Sequence, residues 1–272
     1  MAENKRFFYG WLILLTCILI MGLGYAPLVS CASLFTKPVT EDLGFTRSGY
    51  ALVSTIAALM MAFMSPFIGK IMSKPYMHKA LVVCMIGNCL AYYCYSFAST
   101  LPQFYVTAAC IGFFECGSTM IPVSVLITNW FRKKRGLVMS IAMVGSSIGG
   151  TILSPIIGNL IASQGWRFTY KAVGITRLVI LVPLVLLVIR RTPADMGTKA
   201  YGADEEGETG KARKTEREWN VSLKEVKKKP MFWCFVLGCT LISATAAVIT
   251  QIPASVMDAG YATTTAASIA SL

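Results

Sequence analysis

Two ionisable side chains lie inside apolar stretches of this sequence, where charged residues are rare. Glu115 lies near the middle of one stretch, and Ser118 and Thr119 follow it at helical spacing on the same face. Arg177 lies inside another stretch. An ionisable group in the middle of a membrane is costly unless it is partnered or hydrated. These positions therefore predict a site that takes up protons, binds an anion, or does both.

Both residues also have a structural interpretation. Because a buried carboxyl is readily kept in its neutral form, Glu115 is a candidate for proton coupling and equally for a neutral, hydrogen-bonded structural role. Arg177 could pair with Glu115 or attract an anion. If Lys171 marks the outer membrane boundary, Arg177 lies about 9 Å deep, and its side chain could instead extend to the surface. The sequence leaves these alternatives open.

The first apolar stretch carries helix-breaking residues around Tyr25. Gly22, Gly24 and Pro27 predict an interrupted helix, and Ser30 follows the interruption. Irregular backbone at membrane depth survives only beside protein or a water-filled cavity. We therefore expect Tyr25 and Ser30 to line a substrate or coupling site.

Small residues line one side of the fifth apolar stretch, at or beside positions spaced by four. Such residues let another helix backbone approach closely. They predict either static helix packing or a sliding surface between two helical bundles. The residues are Gly145, Ser146, Gly149, Gly150, Ser154, Pro155 and Gly158.

The composition places these stretches in a lipid bilayer. Hydrophobic residues make up 55% of the chain and charged residues only 14%, whereas soluble domains carry about 25% charged residues. Apolar runs of about 20 residues cross a bilayer as helices. We predict an all-α polytopic membrane protein with seven spans, at 7–35, 49–69, 80–97, 104–130, 136–161, 168–189 and 231–257. An eighth span begins near Thr263, so we expect the chain, which stops at Leu272, to be truncated.

The basic residues predict which ends of the spans face the cytoplasm. Lys and Arg concentrate near the N-terminus, in the loops around 70–79 and 132–135, and in the segment 190–229. Cytoplasmic loops carry such an excess. The net charge of +12 is therefore a topology signal and does not indicate nucleic-acid binding. We expect an integral protein of the plasma (inner) membrane with a cytoplasmic N-terminus.

Two related octapeptides indicate an internal repeat. SPFIGKIM (65–72) and SPIIGNLI (154–161) share Ser, Pro, Ile and Gly, and three spans separate them. Inverted repeats of three plus three helices occur in secondary transporters. A segment of mixed charge then separates six spans from the seventh. We predict a six-helix bundle at 1–190, a cytoplasmic linker at 191–230 and the start of a second bundle at 231–272.

Four further motifs are EDLGFTRS (41–48), NWFRKKRGLVMSIAMVGSSIGG (129–150), GWR (165–167) and RRTPADMG (190–197). Together with six spans and a charged loop, they resemble the Major Facilitator Superfamily, in its oxalate/formate antiporter and monocarboxylate transporter branch. The resemblance covers most of the chain. The loop GKIMSKPYMHK (69–79) departs from the superfamily's G-x-x-x-D-R-x-G-R-R pattern, because no acidic residue stands there.

The resemblance implies a twelve-helix carrier of two bundles, monomeric when full length. Such a carrier moves a small carboxylate by alternating access, through antiport or proton symport, so its partners are that carboxylate, protons and the lipid bilayer. Some monocarboxylate transporters carry a lysine late in the first helix, but this chain reads YAPLVSCAS at 25–33. This difference argues against a lactate-type proton mechanism. The alternatives are a carrier of another small solute and a seven-helix receptor or sensor.

The sequence gives no sign of enzyme or metal chemistry. It contains neither an H-E-x-x-H nor a C-x-x-C motif. The nine cysteines lie mostly inside the predicted spans, where cysteine acts as a small apolar residue. We therefore expect no catalytic residue, no cofactor and no metal site.

Overall fold

A computed structural model describes residues 8–72, 74–198, 200–201, 226, 228–249 and 256 of the protein. All the secondary-structure elements in those ranges are helices. The predicted all-α polytopic membrane fold is confirmed. The helical stretches long and apolar enough to cross a membrane are Gly10–Leu43, Arg47–Met72, Met77–Phe97, Leu101–Trp130 and Arg135–Val188.

We number the first four stretches spans 1 to 4. Gly165 divides the fifth stretch into span 5 (135–164) and span 6 (166–188), because its φ of 82° and ψ of 164° break the helix. Glycine adopts such a conformation without a steric penalty. The helix Pro230–Ile249 covers most of the seventh predicted span. The eighth span predicted from Thr263 and most of the predicted linker lie outside the described residues.

Span 1 is not a uniform α-helix. It contains the α-helix Gly10–Leu19, the π-helix Ile20–Tyr25, a short α-helix Ala26–Val29 and, after a turn, the α-helix Ala32–Leu43. Pro27 has no amide hydrogen to give to the helix. The α-helix is therefore interrupted at the predicted position, by a π-helix and then a turn. From Ile20 to Val29 the backbone keeps helical geometry, so its hydrogen-bonding groups stay paired within the span.

Span 4 bends at Thr119. Its two α-helices are Leu101–Ser118 and Met120–Trp130, and Thr119 between them has φ −122° and ψ −96°. Pro122 lacks the amide hydrogen that would otherwise bond the carbonyl four residues earlier, at the end of the first helix. The sequence analysis gave only the bounds of this span, 104–130, and Pro122 is the signal that would have identified the bend.

The motifs at the ends of the spans contact one another in pairs. At one end, Trp166 Nε1 donates to Asp42 Oδ2 at 3.1 Å and joins the GWR and EDLG motifs. At the other end, Trp130 Nε1 donates to the Arg190 carbonyl at 2.9 Å. The Tyr201 amide donates to the Trp130 carbonyl at 3.0 Å. These motifs therefore connect the ends of the helices by hydrogen bonds. A separate set of polar residues lies in the interior of the bundle.

Candidate functional site

Glu115 lies beside the bend of span 4 and is 5% exposed. Its two carboxylate oxygens have different partners. Asn88 Nδ2 of span 3 donates to Oε2 at 2.7 Å, and Thr119 Oγ1 donates to Oε1 at 2.9 Å. Ser118 Oγ donates to the Glu115 backbone carbonyl at 3.3 Å. The three residues predicted to share a face of this helix are therefore together, but only Thr119 contacts the carboxylate.

Arg177 of span 6 lies in the interior and is 2% exposed. Its Nη2 donates to the Gly24 carbonyl of span 1 at 2.8 Å and to Asn88 Oδ1. The Tyr92 ring of span 3 lies 5.0 Å from the guanidinium carbon, a cation–π distance. The alternative in which the side chain extends to the membrane surface is wrong, because these partners hold the guanidinium inside the bundle.

Asn88 connects the two charges and was not among the site residues predicted from the sequence. A carboxylate only accepts hydrogen bonds and a guanidinium only donates them, so the amide must turn Nδ2 toward Glu115 and Oδ1 toward Arg177. Among the described residues, the two charges form no direct ion pair within 4.0 Å. The signal available in the sequence was an asparagine in the middle of an apolar span, because polar side chains there bond across helices.

Arg177 keeps unused hydrogen-bonding capacity. Within the described part of the chain, its Nε and Nη1 are buried and have no hydrogen-bond partner, and the same holds for the Tyr92 hydroxyl. Buried donors are nearly always satisfied by protein or by ordered water. These atoms therefore mark a place where an anion or water has donors ready to receive it.

Tyr25 and Ser30 of span 1 lie in different surroundings. Tyr25 is half-buried, and its phenol is close enough to Glu115 for the two groups to interact electrostatically. Ser30 instead faces span 5, where a Cβ added at Gly150 would lie 3.0 Å from its Oγ. The structure thus brings Tyr25, but not Ser30, to the charged centre.

The small residues of span 5 pack mainly against span 1. A Cβ added at Gly145 or Gly149 would come closer than 3.0 Å to the backbone of Ile18 or Gly22. Ser154 Oγ lies 3.4 Å from the Cys31 Sγ of span 1. These contacts are internal to one bundle, so they favour the packing interpretation over a surface that slides between bundles.

The remaining members of the predicted set differ in burial. Gly158 is buried, whereas Ser146 and Pro155 are half-buried. Ser146 Oγ donates to the Met143 carbonyl of its own helix at 2.8 Å. Within the described ranges, no group of three or more His, Cys, Asp or Glu side chains is placed to hold a metal ion.

A family model described as "Major Facilitator Superfamily" matches residues 12–272. Monocarboxylate transporter 2 of Homo sapiens is 24% identical over 229 residues, covering 83% of this chain and 45% of the relative. Monocarboxylate transporter 4 of Gallus gallus is 26% identical over 170 residues, covering 61% and 35%. The MFS-type transporter pynF of Aspergillus niger is 27% identical over 192 residues, covering 68% and 43%.

A solved structure shares the fold. It is the crystal structure of a bacterial homolog to the human lysosomal transporter Spinster, in an inward-facing and unoccupied conformation. The TM-score is 0.70 at 17% sequence identity, and the match covers 98% of this chain and 59% of that one. The chain spans less than half the length of the curated relatives named above.

Proposed function

Because the chain belongs to the Major Facilitator Superfamily, we propose that it forms part of a secondary carrier for a small carboxylate. In this proposal, residues 1–190 are the first six-helix bundle, residues 191–230 are a linker, and residues 231–272 begin a second bundle. Alternating access between the two bundles moves the substrate. Antiport and proton symport are both compatible with a buried carboxyl at the centre.

The observation that carries this proposal is the buried centre formed by Glu115, Asn88 and Arg177. An intramembrane cation that faces the bundle interior marks a substrate or ion pathway by default. Arg177 Nε and Nη1 are hydrogen-bond donors without a partner among the described residues, and guanidinium groups bind carboxylates strongly. The similarity to proteins named monocarboxylate transporters agrees with this chemistry. The similarity to pynF, named only as an MFS-type transporter, keeps a carrier of another small solute as the second candidate.

Counterflow in vesicles that contain the full-length carrier tests the substrate class. Vesicles preloaded with unlabelled oxalate, formate, lactate or pyruvate should take up the same carboxylate in labelled form. The labelled concentration inside should transiently exceed the concentration outside. Vesicles preloaded with neutral sugars should not take up labelled sugar, because a sugar carries no charge to pair with Arg177. Counterflow of sugars without any counterflow of carboxylates would overturn the proposal.

The proposed topology places the N-terminus and residues 191–230 in the cytoplasm of a plasma (inner) membrane protein that is monomeric when full length. The concentration of Lys and Arg on one side of the spans supports this orientation. A reporter enzyme active only outside the cytoplasm, fused after residue 210, should be inactive, and a cytoplasmic reporter at the same point should be active. The reverse pattern would contradict the topology.

A further inference from the structure

The Thr119 hydroxyl has two acceptors within reach. Its Oγ1 lies 2.9 Å from Glu115 Oε1 and 3.0 Å from the Glu115 backbone carbonyl oxygen. A hydroxyl has one hydrogen to donate and lone pairs with which to accept. It therefore donates to one of these oxygens at a time. Its lone pairs remain able to accept a hydrogen bond from Oε1 when that oxygen carries a proton.

Each protonation state of Glu115 can use this hydroxyl. When Glu115 is ionised, Thr119 donates to Oε1 in a charge-assisted hydrogen bond. When Glu115 carries a proton on Oε1, its new O–H donates to Thr119 Oγ1, and Thr119 turns its own hydrogen to the backbone carbonyl. Asn88 Nδ2 continues to donate to Oε2 in both states. No buried polar group at Glu115 loses its partner when the proton arrives.

The charge balance at Arg177 does change. An ionised Glu115 offsets the guanidinium through Asn88, so the centre is neutral as a whole. A protonated Glu115 leaves Arg177 as an uncompensated cation in the membrane interior, which is unfavourable. A carboxylate anion that accepts from Nε or Nη1, the unpartnered donors, restores neutrality. A proton and an anion therefore stabilise each other at this centre, and such linkage is reciprocal.

Within the part of the chain that the structure describes, Arg177 is the one charged side chain found to act on Glu115. The interaction between the Arg177 guanidinium and the Glu115 carboxylate is electrostatic. The other titratable groups around Glu115 are Tyr25 of span 1, Cys89 of span 3 and Cys116 of its own span. Phenol and thiol groups are largely neutral at neutral pH, so they add polarity without changing the charge count.

We propose that Thr119 is a hydroxyl switch that partners Glu115 in both protonation states and so sets the pH at which the centre binds a carboxylate anion. This inference rests on the proposed function, because the anion is the transported substrate. The proton comes from water on the side to which the centre is open, and the Glu115 carboxylate takes it to become a carboxylic acid. The anion binds without forming a covalent bond. Thr119 is thus a positioning residue that acts through Glu115.

Equilibrium exchange of labelled formate in vesicles of the full-length carrier, with equal pH on both sides, tests the inference. Formate stays ionised between about pH 5.5 and pH 8, so the carrier alone changes its charge in this range. The apparent affinity of the wild type should fall as the pH rises, because the proton that favours the anion is lost. Thr119→Val removes the charge-assisted bond, which is about twice as strong as its neutral counterpart. The affinity of the Thr119→Val carrier should therefore fall at a pH about one unit higher than that of the wild type, which is a tenfold change in proton concentration.

Three variants complete the design. Thr119→Ser keeps the hydroxyl and should restore the wild-type pH profile. Thr107→Val is the matched control. Thr107 Oγ1 also lies in span 4 and donates to a backbone carbonyl four residues earlier, at 2.8 Å, but this bond is exposed and involves no carboxylate. If Thr119→Val fails to accumulate in the membrane, Thr119→Ala replaces it as the hydroxyl-free variant.

The outcomes separate this inference from the carrier proposal. A shifted profile in Thr119→Val, with wild-type profiles in Thr119→Ser and Thr107→Val, supports the inference. An unshifted profile in a well-folded Thr119→Val, or a wild-type affinity that does not depend on pH, overturns the switch but leaves carboxylate exchange standing. Absence of any formate, oxalate, lactate or pyruvate exchange by the wild type overturns the proposed function together with the switch.

Discussion

Glu115→Gln in the full-length carrier is expected to abolish uptake driven by a pH gradient and to spare exchange of labelled substrate. Net uptake driven by protons requires a group that gains and loses one, and glutamine does neither. Exchange moves one substrate each way and needs no net proton movement. The amide also fits the site, because its oxygen can accept from Asn88 Nδ2 while its NH₂ group donates to the Thr119 hydroxyl, which are the present partners of the carboxylate.

Three results of this substitution distinguish three roles of Glu115. Selective loss of pH-driven uptake supports proton coupling, and retention of both activities would show a neutral structural residue. Loss of the folded protein would show that Glu115 pairs directly with Arg177, since leaving a buried cation without its partner costs about 3–5 kcal/mol. The position of Asn88 between the charges argues against that third result. Glu41→Gln is the control, because Glu41 is an exposed acid whose side chain is 66% exposed, and both activities should persist.

The spans and the grouping around Glu115 were predictable from the sequence because both depend on local patterns. Apolar runs of sufficient length define the spans, and residues three and four positions apart in a helix share a face. The bend at Thr119 was also readable, since Pro122 removes a backbone hydrogen bond at a fixed offset. The helix-breaking residues of span 1 likewise led to the prediction that Tyr25 lines a site.

Asn88 and the inward direction of Arg177 were not predictable in the same way. Contacts among spans 3, 4 and 6 depend on how the helices are rotated about their axes, and an apolar span in lipid shows little contrast between its inner and outer faces. The side chain of Arg177 is long enough to reach either the interior or the surface. Only the packed position of Tyr92, the Gly24 carbonyl and Asn88 decides between them.

Gly149→Ala is expected to destabilise the bundle strongly, whereas Gly136→Ala leaves it unchanged or slightly more stable. A Cβ at Gly149 would lie closer than 3.0 Å to three backbone atoms of Gly22, while a Cβ at Gly136 would have nothing within 4 Å. Backbone atoms move only if the whole of span 1 moves, so the overpacking cost is about 1–3 kcal/mol or more. Both substitutions add the same methyl group to the same helix, and any gain in helix propensity at Gly149 opposes the expected loss of stability.

The displacement of span 1 should also reach the charged centre. Gly22 lies two residues before Gly24, whose carbonyl accepts from Arg177 Nη2 at 2.8 Å, so moving the span backbone away from span 5 weakens that bond. Gly149→Ala protein that survives extraction should therefore show both a lower melting temperature and weaker formate exchange, whereas Gly136→Ala should show neither change. Equal melting temperatures for the two variants would contradict the close approach of spans 1 and 5. A lower melting temperature with unchanged formate exchange would show that this contact supports the fold without positioning Arg177.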